Sequence, residues 1–430
     1  MTGPVPLSSY PDGTGVPVRS VAAPQPKNDP FYSYTGATPL ASIAPGTVLD
    51  TRSVRYHLLG FPTLLKTTQL LYRSTSQTNK PTVNVTSVIE PLFQFDKTMV
   101  VSYQSAYDSL NPDDEPSYAI SGGLRLGGIV AHVEAAVLGP FLAEGYTVIV
   151  PDTEGQQANF AAGPEYGMNT LDSIRAAFNA STIPSGARVA MLGYSGGAIA
   201  TEWAAELAPT YASDVNDRLI GAAMGGVLVD PAHNLHYVEG TDYWAGVMAM
   251  ALVGISRAFG INLTPYLSTK GLNIFHQVEN ASIIDVLGHQ PYRNLTWKKM
   301  VKPEHPTPES LPLYVQCANA LIMGTGGTPT IPLFIGQGAD GRLEGTPNDK
   351  PGIGAGDGVM IAGDVRTLAR NYCAKGTTVY YRQYDALSHI WSVALWLPQA
   401  IAWINARFAG LPAPDNGSSI APGNPLDPIP

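Results

Sequence analysis

The chain carries little charge for its length. Of its 430 residues, 14% are charged and 44% are hydrophobic, and the formal net charge is −9. Globular proteins carry about 25% charged residues, so this composition is poor in charge but rich enough in apolar residues to exclude a disordered chain. Lysine and arginine form no cluster, which excludes nucleic acid as a partner because such binding needs a basic surface. The composition favours a large packed enzyme or transporter.

Long hydrophobic runs are absent as well. The most apolar stretch, residues 244–255, is 12 residues long, whereas a helix that spans a bilayer needs about 20. We therefore expect no transmembrane segment. The first residues lack a basic start followed by an apolar run, so no signal peptide is predicted. Two interpretations stay open, a cytoplasmic protein and a mature secreted protein whose leader a start methionine has replaced.

Cysteine is scarce. Cys317 and Cys373 are the only two in the sequence, so one disulfide is the most that the chain can form. Each is interpreted either as half of that bridge or as a small buried apolar residue.

Short apolar runs alternate with stretches of helical periodicity, which predicts an α/β fold with a mostly parallel sheet covered on both faces. The predicted strands are 57–72, 98–104, 146–150, 188–192, 219–229, 331–335 and 378–384. The predicted helices are 168–178, 197–207, 359–372 and 391–408. The alternation stops between about 230 and 310, where 242–259 and 274–287 read as helices without a strand. We interpret this insertion as a cap over the carboxyl edge of the sheet, the alternative being a helical excursion with no role in gating.

These patterns divide the chain into five parts. They are an N-terminal extension (1–48), a first part of the core (49–230), the helical cap or lid (231–310), a second part of the core (311–409) and a C-terminal tail (410–430). Both ends are rich in Pro and Gly and are expected to lie on the surface.

The sharpest local signal is Gly-Tyr-Ser-Gly-Gly at 193–197, between a predicted strand and a predicted helix. This context is typical of a nucleophile elbow, in which a strained turn projects the serine hydroxyl. A side chain at Gly193 or Gly197 would collide with the neighbouring strand or helix, and the N–H of Gly196 would face an oxyanion formed beside Ser195. Ser195 is therefore the candidate nucleophile.

A serine nucleophile needs a base and an acid. His389 is the candidate base, because it alone of the eight histidines follows the last predicted strand and hydrolases of this architecture run in the order Ser, acid, His. The acid is expected after the strand 331–335, where Asp340, Asp349, Asp357 and Asp364 are available. Nearness to the strand favours Asp340, and Asp357 could instead cap the following helix.

His233 and His236 form an H-x-x-H pair with Glu239. The spacing lacks the helical pattern of a zinc site, so we interpret them as surface or cap histidines and predict no metal.

Several blocks together resemble the secretory lipases of fungi and bacteria over residues 50–408. They are Tyr-Asp at 107–108, Pro-Ser-Tyr at 116–118, Asp-Thr-Glu-Gly at 152–155, Gly-Met at 167–168, Leu-Asp at 171–172, Ile-Arg at 174–175, the elbow, and Cys-Ala-Lys-Gly at 373–376. The resemblance implies an α/β-hydrolase fold, and it places the catalytic acid at Asp357 rather than Asp340. The loop 336–356 looks like an insertion relative to the family, which keeps Asp340 open.

The resemblance also implies a second oxyanion donor, the side chain of Asp108. A carboxyl donates a hydrogen bond only while it is protonated, so this role needs a raised pKa; the backbone N–H of Asp108 could act instead, or the residue could simply order its loop. Asp152 and Glu154 are implied to be structural residues behind the elbow.

The expected function is that of a serine ester hydrolase, a lipase that uses Ser195, His389 and Asp357 with no metal or organic cofactor. The alternatives are a carboxylesterase or acyltransferase on soluble or polymeric esters, and a non-catalytic binding module with a hydrolase fold. The run 244–255 is interpreted as an acyl tunnel wall or lid, or as plain packing. The expected partners are a lipid or other ester and, through the cap, an oil–water interface; we expect a monomer, and secretion is implied by the family alone.

Overall fold

The computed structural model describes residues 24–94 and 96–430. Within them, the strands are β1 (Val48–Leu58), β2 (Phe61–Thr75), β3 (Pro81–Ile89), β4 (Met99–Gln104), β5 (Thr147–Pro151), β6 (Arg188–Tyr194), β7 (Leu219–Gly225), β8 (Leu333–Gly338) and β9 (Val379–Tyr384). They form one sheet in the order β1-β2-β3-β5-β4-β6-β7-β8-β9. Strands β5, β4, β6, β7, β8 and β9 are parallel, and β1, β2 and β3 add an antiparallel edge.

Helices cover both faces of the sheet. They are α1 (Pro116–Ile120), α2 (Ile129–Val133), α3 (Ala135–Ala143), α4 (Gly163–Asn179), α5 (Gly196–Tyr211), α6 (Ser213–Asn216), α7 (Pro231–Val238), α8 (Ala245–Phe259), α9 (Thr269–Val278), α10 (Ile283–Val286), α11 (Trp297–Met300), α12 (Pro312–Asn319), α13 (Ala362–Ala374) and α14 (His389–Phe408). Alternate residues of a strand face opposite sides of a sheet: Val189 and Met191 of β6 pack with α4, α5 and α13, while Ala190 and Leu192 pack with α3 and α14. The predicted α/β class with a mostly parallel, doubly covered sheet is confirmed.

Two strand predictions were wrong in detail. The run 57–72 is not one strand but parts of β1 and β2, because Leu59 and Gly60 adopt positive φ values of 49° and 79° and reverse the chain. The prediction missed β3, whose buried residues include polar ones such as Asn84 and Ser87 on its two faces. Both find partners inside the protein, Asn84 donating to the carbonyl of Asp152 (2.7 Å) and Ser87 accepting from Gln69 (3.0 Å).

Between β7 and β8 the described chain contributes no strand to the sheet. Helices α7 to α12 fill this segment and share a hydrophobic core of their own, separate from the two that line the sheet. The predicted helix 274–287 is two helices, because Ser282 starts α10 with a reciprocal capping box to Asp285. That this segment gates the site stays a prediction.

The two ends of the chain differ in what is described. Residues 1–23 of the predicted N-terminal extension lie outside the described residues. At the other end, Asn416 exchanges hydrogen bonds with the backbone of Tyr381 on β9, and Ile420 is buried. Asn424 then donates to Asp364 on α13 (2.7 Å). The C-terminal residues therefore follow the surface of the core and are fixed to it.

Cys317 is buried and Cys373 is half-buried, and both are free thiols, so the disulfide alternative was wrong. None of the helices described has the length and apolar character that crossing a membrane requires.

Candidate active site

Ser195 lies in a sharp turn between β6 and α5, at the carboxyl edge of the sheet. Its φ of 55° and ψ of −121° are strained for a residue with a side chain, and its N–H is fixed to the carbonyl of Gly225 (2.9 Å). A Cβ on Gly193 would lie 2.2 Å from the carbonyl oxygen of Gly197, and one on Gly197 would lie 2.0 Å from that of Gln104. The spacing of glycines in the motif is thus a steric requirement of the turn, as the sequence predicted.

His389 is the first residue of α14, and it brings its ring to the turn from 194 residues away. Its Nε2 lies 2.7 Å from Ser195 Oγ, and its Nδ1 lies 2.8 Å from Asp357 Oδ2. The backbone N–H of His389 donates to the carbonyl of Asp357 (2.7 Å), so two contacts fix the histidine to the loop that carries the acid. The three side chains form one hydrogen-bonded chain.

Asp357 is fully buried, and four donors surround its carboxylate. Oδ1 accepts from the N–H groups of Val359 (3.1 Å) and Met360 (2.7 Å), while Oδ2 accepts from Gln337 Nε2 (2.9 Å) as well as contacting His389. Because these backbone bonds hold residues 357–360 in a turn, α13 begins at Ala362 rather than at the predicted 359. Asp357 is therefore not the cap of this helix.

The other candidate acids lie elsewhere. Asp340 forms a bidentate pair with Arg342, both N–O distances being 2.8 Å, and its side chain caps a short 3₁₀ helix. Asp364 contacts His233 (3.1 Å) and Asn424. Asp349 borders a surface pocket in the inserted loop. The structure brings Asp357 to His389 and none of these three.

Asp108 lies against the start of α5. A Cβ on Gly196 would lie only 1.8 Å from Asp108 Oδ1, so the carboxyl occupies the space above that glycine. The backbone of Asp108 has a φ of 37°, and its carbonyl accepts from Ile283 N–H of the cap segment (2.8 Å). Burial and then the charge of Glu134, partly offset by His389, raise the pKa of Asp108 to about 8. At neutral pH the carboxyl is mainly protonated and can donate a hydrogen bond.

The protonation of His389 depends on opposing effects. Burial lowers the pKa of the ring, but the charge of Asp357 and its hydrogen bond, followed by Glu344 and Asp108, outweigh that effect, so the pKa of His389 lies above its usual value. The ring is therefore well suited to accept a proton from Ser195.

Three further residues support this geometry and were missed by the sequence analysis. Glu134 accepts from Ala106 N–H (2.9 Å) and from the hydroxyl of Ser105, so it holds the loop that leads to Asp108. Glu344 accepts from Ile390 N–H and from Trp244 Nε1, both at 2.9 Å, and so joins α14 to the cap segment. The third, Gln337, donates to Asp357, and it alone of the three had a signal in the sequence, as a polar residue two positions after the predicted strand 331–335.

Asp152 and Glu154 are buried and contact neither Ser195 nor His389. Asp152 accepts from the N–H (2.8 Å) and hydroxyl (2.6 Å) of Ser117. Glu154 accepts from Ser109 N–H, 3.2 Å from each oxygen, next to Asp108. These contacts fit the structural role that the resemblance implied.

His233 and His236 lie on α7, away from the serine. His233 contacts Asp364, and Nε2 of His236 lies 2.6 Å from Glu309. In the part of the chain that the structure describes, no group of 3 or more His, Cys, Asp or Glu side chains is placed to hold a metal ion.

An apolar cavity of about 70 Å³ lies between the cap segment and residues of the core. One wall is the face of α8 that carries Val247, Met248, Ala251, Leu252 and Ile255. Val359, two residues from Asp357, also lines the cavity. The run 244–255 therefore borders an apolar cavity whose lining reaches the loop of the acid. Whether it forms an acyl tunnel wall or lid or only packs stays a prediction.

Comparison with known proteins gives a consistent picture. A family model described as secretory lipase matches residues 121–416. Lipase 4 of Candida albicans is 31% identical over 404 residues, which are 90% of this chain and 82% of that protein. A Mycobacterium tuberculosis protein named probable inactive lipase MT1628 is 29% identical over 408 residues, covering 93% of this chain and 86% of its own. Among solved structures, Candida antarctica lipase A in its closed state aligns with a TM-score of 0.78 and 27% identity, covering 95% of this chain and 91% of the other.

Proposed function

This chain belongs to the secretory lipase family and has the α/β-hydrolase fold, and from this premise we propose that it is a triacylglycerol lipase that works through Ser195, His389 and Asp357. The family and the relatives make it a hydrolytic enzyme that acts on esters. The observation that supports the finer proposal is the hydrogen-bonded chain from Asp357 through His389 to Ser195 Oγ. The name of the family also supports secretion.

In the proposed reaction, His389 Nε2 takes the proton of Ser195 as Oγ attacks the ester carbonyl carbon. Asp357 keeps the proton of the neutral ring on Nδ1 and stabilises the imidazolium that forms. The N–H of Gly196, at the start of α5, and the protonated carboxyl of Asp108 donate to the oxyanion. His389 then protonates the leaving alcohol, and a water molecule, deprotonated by the same ring, releases the acid from the acyl-enzyme.

Substrate preference is the second part of the proposal. The cavity beside α8 is lined almost entirely by apolar side chains, which supports a fatty acyl chain rather than a polar acyl group. We expect Ala251→Trp, which fills this cavity, to lower kcat/KM for p-nitrophenyl palmitate strongly and for the butyrate ester little. Ala251→Ser, which adds little volume, is the control. Equal losses on both esters in Ala251→Trp would contradict an acyl role for the cavity.

A separate experiment tests whether Ser195 is the nucleophile. A fluorophosphonate probe should label the wild-type protein and should not label Ser195→Ala. Labelling that persists in Ser195→Ala would refute the assignment. The same experiment tests the alternative of a non-catalytic module, which is relevant because one relative is named as probably inactive; that alternative requires no labelling of the wild type.

A carboxylesterase or acyltransferase acting on soluble esters is the remaining alternative. A series of p-nitrophenyl esters of increasing acyl length, followed by emulsified triacylglycerol, separates the two enzymes. Activity confined to short acyl chains would exclude the lipase.

A further inference from the structure

The outer face of α14 is apolar for its first four turns. Six side chains on this face are exposed to solvent: Ile390, Trp391, Ala394, Leu395, Pro398 and Ala402. A surface helix normally presents charged and polar residues to water, and α13, the preceding helix in the chain, does so with Arg370 and Asn371. We call this face of α14 the apolar stripe.

Charge is absent from the whole segment around the stripe. No Asp, Glu, Lys or Arg occurs between Asp385 and Arg407. Trp391 is 63% exposed and Leu395 is 53% exposed, so both present apolar surface to water that contact with an apolar phase would bury. No described residue covers them, and exposed apolar patches of this kind mark contact sites on soluble proteins.

The stripe continues directly from the candidate active site. His389, whose Nε2 lies 2.7 Å from Ser195 Oγ, is the first residue of α14, and Ile390 and Trp391 follow it. With a rise of about 1.5 Å per residue, the stripe extends about 20 Å from the histidine. A surface pressed against the stripe would therefore meet α14 from its first turn onward, the turn that carries the histidine.

The cap segment does not offer a comparable surface. Among the described residues 231–310, none of the large apolar side chains is exposed, whereas Leu343, joined to α14 through its neighbour Glu344, is 57% exposed. The apolar residues of α8 face the cavity and the cap core instead. The predicted contact of the cap with an oil–water interface stays a prediction, and the large exposed apolar side chains lie on α14 and beside it instead.

We propose that the apolar stripe of α14 is the surface on which the protein docks to an uncharged lipid–water interface. This inference rests on the proposed lipase function and adds the surface through which the enzyme meets its substrate phase. An uncharged face matches a neutral oil surface, and an indole side chain is well placed at such a boundary.

Binding can be measured separately from catalysis. In a Ser195→Ala background, we compare the parent, Trp391→Gln/Leu395→Gln and the matched control Leu92→Gln/Phe93→Gln by flotation with triolein emulsions stabilised by phosphatidylcholine. Leu92 and Phe93 are exposed to a similar degree, 56% and 74%. They follow β3, whose last residue, Ile89, pairs with Val148 near the start of β5, so they leave the sheet at the amino edge of its parallel strands, opposite the carboxyl edge that carries Ser195. We expect the α14 variant to bind the emulsion about tenfold more weakly than the parent, or more weakly still, and the control to bind as the parent does. Equal binding of all three proteins, or an equal loss in the control, would overturn the proposal.

Activity provides the second readout. With Ser195 intact, Trp391→Gln/Leu395→Gln should hydrolyse dissolved p-nitrophenyl butyrate at the wild-type rate and emulsified tributyrin about tenfold more slowly. Failure of the proposed function would appear differently, as unchanged hydrolysis of the soluble ester in Ser195→Ala. Light scattering tests whether a second copy of the chain covers the stripe instead. If the wild type is a dimer and this double variant is a monomer, the stripe is a contact between copies and lipid docking is refuted.

Discussion

Asp108 leads to a sharp prediction about pH. In the proposed reaction this carboxyl donates to the oxyanion, so only its protonated form is active. Its pKa, raised by burial to about 8, makes the protonated form dominant at neutral pH. As pH rises through this value the donor is lost and a negative charge appears beside the oxyanion. Activity should therefore fall on the alkaline side.

The acid side of the profile has a different origin. His389 must be neutral to accept the proton of Ser195, and its pKa lies above the usual value because Asp357 outweighs the effect of burial. Activity should rise as pH rises through the pKa of His389 and fall again as pH passes about 8. The profile of kcat/KM should be bell-shaped, since it reports the ionisations of the free enzyme.

Asp108→Asn separates the acid limb of the pH profile, which His389 sets, from the alkaline limb, which Asp108 sets. Asparagine donates at every pH and tolerates the positive φ of 37° at this position. We expect the alkaline limb to disappear and the acid limb to stay. In the wild type, roughly 90% of the carboxyl is ionised one pH unit above its pKa, so the ratio of Asp108→Asn to wild-type activity should increase about tenfold between pH 7 and pH 9.

Asp108→Ala measures how much the side chain of Asp108 contributes to catalysis. Removing one oxyanion donor typically lowers kcat by about 10²- to 10³-fold, and we expect such a loss at every pH. Thermal unfolding of both variants checks that the loop remains folded. An unchanged alkaline limb in Asp108→Asn, or wild-type activity in Asp108→Ala, would refute the assignment of Asp108 as an oxyanion donor.

Three other predictions follow from buried carboxyl groups. Glu134→Gln removes a charge that raises the pKa of Asp108, so the alkaline limb should move to lower pH; a shift to higher pH would contradict the coupling. Asp357→Asn should lose about 10⁴-fold in kcat and Asp340→Asn very little, because only Asp357 contacts His389; the reverse result would reassign the acid. Burial, followed by the charge of its neighbour, raises the pKa of Glu202 well above its usual value. The fold therefore binds this proton more tightly than the unfolded chain, and the stability it contributes is present at acid pH and lost as pH rises through the folded pKa. Urea unfolding of Glu202→Gln should show a smaller loss of stability between pH 5 and pH 9 than the wild type, and identical losses would contradict this.

The sequence predicted the features that periodicity and steric rules determine. Strands that are apolar on both faces indicated the parallel sheet, and the glycines around Ser195 indicated the elbow, since each excludes a collision that the structure displays. His389 could be predicted because the order of the residues along the chain is a property of the fold. These inferences needed no knowledge of which side chains meet in space.

The acid could not be derived from the residues alone. Asp340 and Asp357 both follow β8, and distance along the chain favours Asp340, whereas the structure brings Asp357 to His389. What decides is the partner of each carboxylate: Asp340 is neutralised by Arg342 at the surface, whereas Asp357 receives two backbone N–H groups and Gln337 in the interior. Arg342, two residues after Asp340, was the signal in the sequence that pointed away from that residue.

Formal charge describes this site poorly. Counted by residue type, Asp108, Glu134 and Asp357 would place three negative charges around the serine, and a developing oxyanion would be repelled. Burial raises the pKa of Asp108 to about 8 and that of Glu134 to about 7, so near neutral pH the first is mainly protonated and the second only partly ionised. Asp357, held by several donors on the far side of the ring, is the carboxylate whose charge the imidazolium balances. In the proposed reaction, these different surroundings thus give chemically similar side chains opposite roles, Asp108 as a hydrogen-bond donor and Asp357 as a counter-ion.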